Sequence, residues 1–286
     1  MRKIILILTM LFLIAPSLWT AGQEPLQIRL IAHRGLTREA PENSIAALEG
    51  AWKAGLHGSE IDVRTSADGV TVLLHDPTLS RTTNGKGEVD KKTWRELQKL
   101  RLTDSQGRPT VHDIPSLEQA LTWADSHPGF HLALDLKQVD PLAVGRKVLN
   151  HGLTNRVTIF VGEVERAGMI RTIKRLSSDL RVSLNLGWWW QIEGLPAFAT
   201  QGTGADALFA PEWNFPARGF AEALQAGAEV SVYLWGKDNL SDWLRNAAAL
   251  GAQSVSCDYP RQLLPLVIPR KETVENKKGE GQGGHP

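Results

Sequence analysis

Short apolar runs rich in Leu, Ile and Val recur along the chain, and segments of helical periodicity separate most of them. The strand-like runs are residues 28–33, 59–63, 70–75, 131–137, 156–161, 181–186, 206–210, 229–235 and 253–258. Apolar residues at helical spacing mark 44–54, 141–150, 165–176, 216–226 and 240–250. Strands alternating with helices of this length predict a parallel sheet with helices outside it. The unit repeats from residue 28 to residue 262 with no dinucleotide-binding loop, which favours a closed TIM (β/α)8 barrel over an open sheet. Nine strand candidates compete for eight places, so the pattern predicts an irregularity. It falls between strands 2 and 3, where the linker VRTSADG is too short for a helix and Asp68-Gly69 signals a turn. A turn-rich insertion follows strand 3 over residues 77–115, with one short helix at 94–100. Insertions of this kind lie on the functional face of a barrel.

Both ends of the chain depart from this pattern. Arg2 and Lys3 precede an apolar run over residues 4–14, and small residues follow at 20–22. Residues 1–22 therefore read as a secretory signal peptide, too short in its apolar part for an easy bilayer span. The expected mature protein is exported, either periplasmic or secreted. Residues 269–286 are rich in Lys, Glu and Gly, a composition that predicts disorder. The barrel domain is expected over 23–268. The lone Cys257 excludes an internal disulfide framework. Charge is nearly balanced, 32 basic against 31 acidic residues, and removing the leader takes away only Arg2 and Lys3. That balance argues against a nucleic-acid partner, and no obligatory protein partner is evident.

Candidate chemistry sits at strand ends. In SEIDV, Glu60 and Asp62 are two residues apart and point to one side, with Ile61 and Val63 on the other. Two carboxylates this close repel when ionised, and burial worsens the conflict. A hard divalent cation, Ca2+ or Mg2+, resolves it, and so does a salt bridge or a solvent-facing position. Asp135 in LALDLK offers a third carboxylate from another strand. Lys137, on the same face, can hold an anion beside the cation or form an internal ion pair. His33 and His75 close their strands. Histidine titrates near neutrality, so two of them can divide proton removal and delivery, although either one alone also fits an ordinary core or loop position. Arg34 is a planar donor suited to phosphate oxygens, with Glu39 and Glu42 as alternative partners. Trp188, Trp189 and Trp190 follow one strand, and Trp213 and Trp235 follow others. They fit an aromatic rim for an acyl chain or choline, and equally a lid that packs the loops.

The segments AHRGLTREAPENS, GSEIDVRTSADGVTVLLHDPTLSRTTNGKGEV, IPSLEQAL, LALDLK and CDYP, in this order, resemble the glycerophosphodiester phosphodiesterase family. The resemblance implies a TIM barrel, a divalent cation and hydrolysis of a glycerophosphodiester to glycerol 3-phosphate and an alcohol. It implies that His33 and His75 are the acid–base pair and that Glu60 and Asp62 are ligands, with Asp135 where the family has Glu. Arg34, Lys137, Trp235, Trp188 and Trp189 are the candidate substrate-binding residues. The expected substrate is a small glycerophosphodiester or a lysophospholipid. Asp238 stands where the family has Asn, and Cys257 where it has Thr; these departures bear on substrate choice.

Three rivals remain at this level. A lysophospholipase D or sphingomyelinase D-like activity would use the same residues. A non-catalytic phosphodiester-binding barrel would have no need of both histidines and all three carboxylates. A sugar hydrolase working through a carboxylic acid pair would leave the histidines and Lys137 without roles.

Overall fold

The protein is described from a computed structural model, which covers residues 24–162, 167–211, 217–236 and 238–270, apart from the side chains of Trp188 and Trp189. The signal peptide expected over residues 1–22 and the tail beyond Arg270 lie outside the described residues. No helix among the described residues is long and apolar enough to cross a membrane.

Eight strands form a closed parallel barrel. They are β1 (Arg29–His33), β2 (Gly58–Thr65), β4 (His131–Leu136), β5 (Val157–Val161), β6 (Arg181–Asn185), β7 (Ala207–Pro211), β8 (Glu229–Leu234) and β9 (Ser254–Cys257). Each pairs with the next in that order, and β1 closes the ring by pairing with both β2 and β9. The irregularity expected from the sequence is β3 (Thr71–Leu73). It runs antiparallel to the end of β2, with Val63 opposite Leu73, outside the barrel ring. Ser66 N donates to Val70 O across the connecting turn, and Gly69 takes φ +82° there.

Side chains alternate between two environments. In β4, Leu132, Leu134 and Leu136 are buried beneath the outer helices, while His131, Ala133 and Asp135 face the barrel axis. Burying each of those leucines contributes on the order of 1.5–3 kcal/mol. The helices α1 (Ile45–Lys53), α3 (Leu117–Asp125), α4 (Pro141–Asn150), α5 (Ala167–Leu176), α6 (Leu195–Thr203), α7 (Ala217–Gln225) and α8 (Leu240–Ala249) supply the other half of that core. Their starts are legible: Ser44 and Ser116 accept from the backbone of Ala47 and Gln119, and Asp140 caps Pro141 at the first helical position. Two helices, α3 and α6, were not read from periodicity. α3 carries a Ser116–Gln119 capping box and buries Leu117, Ala120, Leu121 and Ala124, so its signal was present. α6 opens on Gly194 and contains Pro196 and Gly202, which blurs its pattern.

The segment 77–115 has its own small core. Val72, Leu74, Leu79, Val89, Leu97, Leu102 and Ile114 pack together, with α2 (Trp94–Leu97) as its short helix. Hydrogen bonds from Leu73 N to Pro115 O and from Leu74 N to Asp62 O tie it to the hairpin at the barrel rim. At the other end, β-like pairing of Leu26 with Val267 joins the segment before β1 to the segment after β9, and the Arg270 backbone N–H donates to Gly55 O.

Candidate active site

The carboxyl ends of the parallel strands carry a cluster of ionic side chains. The register explains it: His33 lies opposite Glu60 across β1 and β2, and Asp62 lies opposite Asp135 across β2 and β4. Asp62 and Asp135 therefore share one level, and Glu60, two residues earlier on the same inward face of β2, brings the third carboxylate to them. Oxygens of Glu60, Asp62 and Asp135 lie within 4.8 Å of one another. Two oxygens bound to one Ca2+ at about 2.3–2.6 Å are at most about 5 Å apart, so this set fits a single hard cation.

The electrostatics point the same way. Asp62 is 1% exposed. Burial pushes its carboxyl up, but Lys137, Arg34 and the Asn43 amide outweigh this and hold it below the usual range. Glu60 goes the other way: burial first, then Asp62 and Asp135, push its carboxyl well above the usual range. Three acids face two cations, Arg34 and Lys137, and the deficit of positive charge falls on Glu60. A divalent cation at this point would balance it.

Lys137 Nζ sits 2.6 Å from Asp135 and 3.0 Å from Asp62, the internal ion pair considered from the sequence. Arg34 Nε lies 3.2 Å from Asp62, and its Nη1 donates to Glu42 at 3.1 Å. Asn43 holds Asp62 from two sides: its amide nitrogen donates to the carboxylate at 2.8 Å, and its oxygen accepts the Asp62 backbone N–H at 2.9 Å. Arg34 and Asn43 both adopt φ of 57°, an uncommon conformation for residues other than glycine that often marks functional loops. It turns the Arg34 backbone N–H onto Glu60 at 3.1 Å.

Each histidine has a carboxylate behind it. His33 Nδ1 lies 2.7 Å from Asp258, which also accepts from Tyr233 Oη at 3.1 Å. His75 Nδ1 lies 2.7 Å from Asp76. Both rings thereby have Nδ1 committed to a carboxylate, which leaves Nε2 as the nitrogen that can exchange a proton. His33 Nε2 is 3.7 Å from Glu60. Burial raises Asp258, but the His33 bond and charge prevail and hold it below its usual value; Asp76 is also held below the usual range, chiefly by Arg81.

His33, Arg34, Glu60, His75, Asp135, Lys137 and Trp235 line one cavity of about 160 Å³, closed on the other side by Phe160, Phe209, Tyr233 and Ser256. Phe209, Tyr233 and Trp235 run along this wall, with Tyr233 and Trp235 edge to face at 4.4 Å. Trp235 is 48% exposed at the mouth. The side chains of Trp188 and Trp189, and all of Trp213, lie outside the described residues. Trp190 does not join a rim: it is 1% exposed, packs on Phe220 and donates to Phe209 O at 2.9 Å. Sequence reading missed Asp258, Asp76, Asn43 and Tyr233. CDYP and HDP displayed the two aspartates, but their partnership with the histidines follows only from barrel closure and the loop after β3.

Comparison with known proteins places these residues in context. The model of the "Glycerophosphoryl diester phosphodiesterase family" matches residues 33–173. The chain is 40% identical over 99 residues to glycerophosphodiester phosphodiesterase 1 of Mus musculus, covering 34% of this chain and 30% of that relative. The matched segments span between 22% and 58% of the length of the curated relatives. A glycerophosphodiester phosphodiesterase structure from Agrobacterium tumefaciens superposes with TM-score 0.69 at 27% identity, covering 82% of this chain and 97% of that one. A phosphodiesterase structure from Oleispira antarctica, in complex with the product sn-glycerol-3-phosphate, gives TM-score 0.69 at 25% identity, covering 83% and 96%.

Proposed function

This chain belongs to the glycerophosphodiester phosphodiesterase family, and from that premise we propose that it hydrolyses glycerophosphodiesters to glycerol 3-phosphate and an alcohol, using a divalent cation and two histidines. The observation that carries the proposal is a cluster of three carboxylates, two of which, Glu60 and Asp135, line one cavity with two carboxylate-backed imidazoles.

Glu60, Asp62 and Asp135 would hold the cation, Ca2+ or Mg2+. Bound there, it supplies Lewis-acid charge that neutralises phosphate oxygens. Arg34 and Lys137 add fixed positive charge at the same wall and stabilise the extra negative charge of a five-coordinate phosphorus. One imidazole takes a proton at Nε2 from the nucleophile, which is water or the substrate's neighbouring glycerol hydroxyl. The other gives a proton at Nε2 to the departing alkoxide. Asp258 and Asp76 keep both rings in the tautomer that this requires. Phe160, Phe209, Tyr233 and Trp235 present an apolar face suited to the carbon skeleton of the glycerol unit. The leader-like residues 1–22 support an exported enzyme, outside the cytoplasm, where Ca2+ is plentiful.

The test uses sn-glycero-3-phosphocholine with the purified protein and a divalent cation. Release of glycerol 3-phosphate and choline, reduced by about 10²–10⁴ in His33→Ala and in His75→Ala, is the expected result. Near-normal turnover in either variant would defeat the acid–base assignment.

A further inference from the structure

One side chain joins the loop after β1 to the loop after β3. Arg81 donates from Nε to Asp76 at 2.6 Å and from Nη2 to the other oxygen of Asp76 at 3.0 Å. It also donates from Nη1 and Nη2 to the two oxygens of Glu42, both at 2.8 Å. Both edges of the planar guanidinium are thus filled by carboxylate forks. Asp76 holds His75 Nδ1, and Glu42 accepts from Arg34. A continuous line of hydrogen bonds therefore runs from His75 through Arg81 to Arg34, across two loops that share no strand pairing.

We propose that Arg81 is a positioning residue: by fixing Asp76 and Glu42 in one plane it sets the His75 imidazole against Arg34 and the phosphate-binding wall. The proposal rests on the phosphodiesterase reading of the site. Arg81 does not line the catalytic cavity, so its effect passes through its two partners. Its side chain is 45% exposed, while those of Glu42 and Asp76 are only 19% and 21% exposed, so the guanidinium holds its two partners from the solvent side. Lysine cannot substitute, because a single ammonium cannot serve two forks at once. Arg81 also borders a second, polar cavity of about 380 Å³ with Thr37, Arg38 and Thr103, which gives free guanidinium a route to the position that a smaller side chain vacates.

The experiment compares wild type, Arg81→Ala and Arg81→Lys on sn-glycero-3-phosphocholine. In both variants kcat is expected to fall by about 10²-fold with little change in KM or in melting temperature. Guanidinium at non-denaturing concentration should restore part of the activity of Arg81→Ala and none of that of Arg81→Lys. Glu42→Gln should lower kcat alone and add little in the Arg81→Ala background. Unchanged kcat in Arg81→Ala overturns the proposal, as does a loss expressed only in KM or one that guanidinium does not relieve. An inactive wild type would instead sink the phosphodiesterase reading. The imidazole N–H resonance of His75 then decides on Arg81: its persistence unchanged in Arg81→Ala overturns the positioning role, and its loss supports it.

Discussion

Asp258 Oδ1 lies 2.7 Å from His33 Nδ1, so the residue that follows the last barrel strand orients the imidazole that ends the first. The contact exists because β9 pairs with β1, with Cys257 beside Ala32. Replacing Asp258 with Asn would offer Nδ1 a donor in place of an acceptor and favour the tautomer with Nε2 protonated. Asp258→Asn is expected to lower kcat by about 10²-fold with KM nearly unchanged, the low end of the contribution of general acid–base catalysis. Steady-state kinetics on a glycerophosphodiester check this, and an equal loss in Asp258→Asn/His33→Ala and His33→Ala alone would show that the two act as a unit.

Gly35 holds the loop that carries Arg34. Its φ is +84°, and a Cβ there would meet the Ala47 side chain at 2.5 Å and the Ala47 backbone carbon at 2.9 Å. Gly35→Ala is expected to destabilise the fold by about 1–3 kcal/mol, the scale of one strained backbone conformation, and to lower turnover by displacing Arg34. Urea denaturation measures the first effect and kcat the second.

The opposite end of the barrel predicts an acid sensitivity. Burial, with help from Arg29 and Arg181, depresses the His131 imidazole from 6.5 to about 4. An unfolded chain takes up this proton near pH 6.5, whereas the folded chain resists until about pH 4. Between those values protons favour the unfolded state, so stability falls as pH falls and levels off below about pH 4, by at most about 3 kcal/mol. His131→Gln should flatten the dependence of melting temperature on pH across this window; an unchanged slope would show that other groups cause it.

The fold was legible because each strand alternates between two environments, and runs such as HLALDL announce it. The surplus ninth strand was legible too, since VRTSADG is too short to hold a crossover helix. The carboxylate triad could be anticipated as residues but not as a cluster: it needs Asp62 level with Asp135, a matter of register between β2 and β4. The Arg81 clamp was invisible, because it joins positions 39 apart through loops whose path follows no period. The tryptophan run misled in part. Three successive tryptophans look like a surface feature, yet a short helical turn over Gly187–Gln191 directs Trp190 inward against Phe220.

The central claim is that Glu60, Asp62 and Asp135 share one ion that the reaction requires. Turnover of sn-glycero-3-phosphocholine by chelator-treated protein, titrated with Ca2+ or Mg2+, tests it most directly when wild type and Asp62→Asn are compared. The account predicts no glycerol 3-phosphate release without added cation, full recovery in wild type, and recovery of Asp62→Asn only at much higher cation concentration. Undiminished turnover after chelation, or the same cation dependence in both proteins, would contradict it.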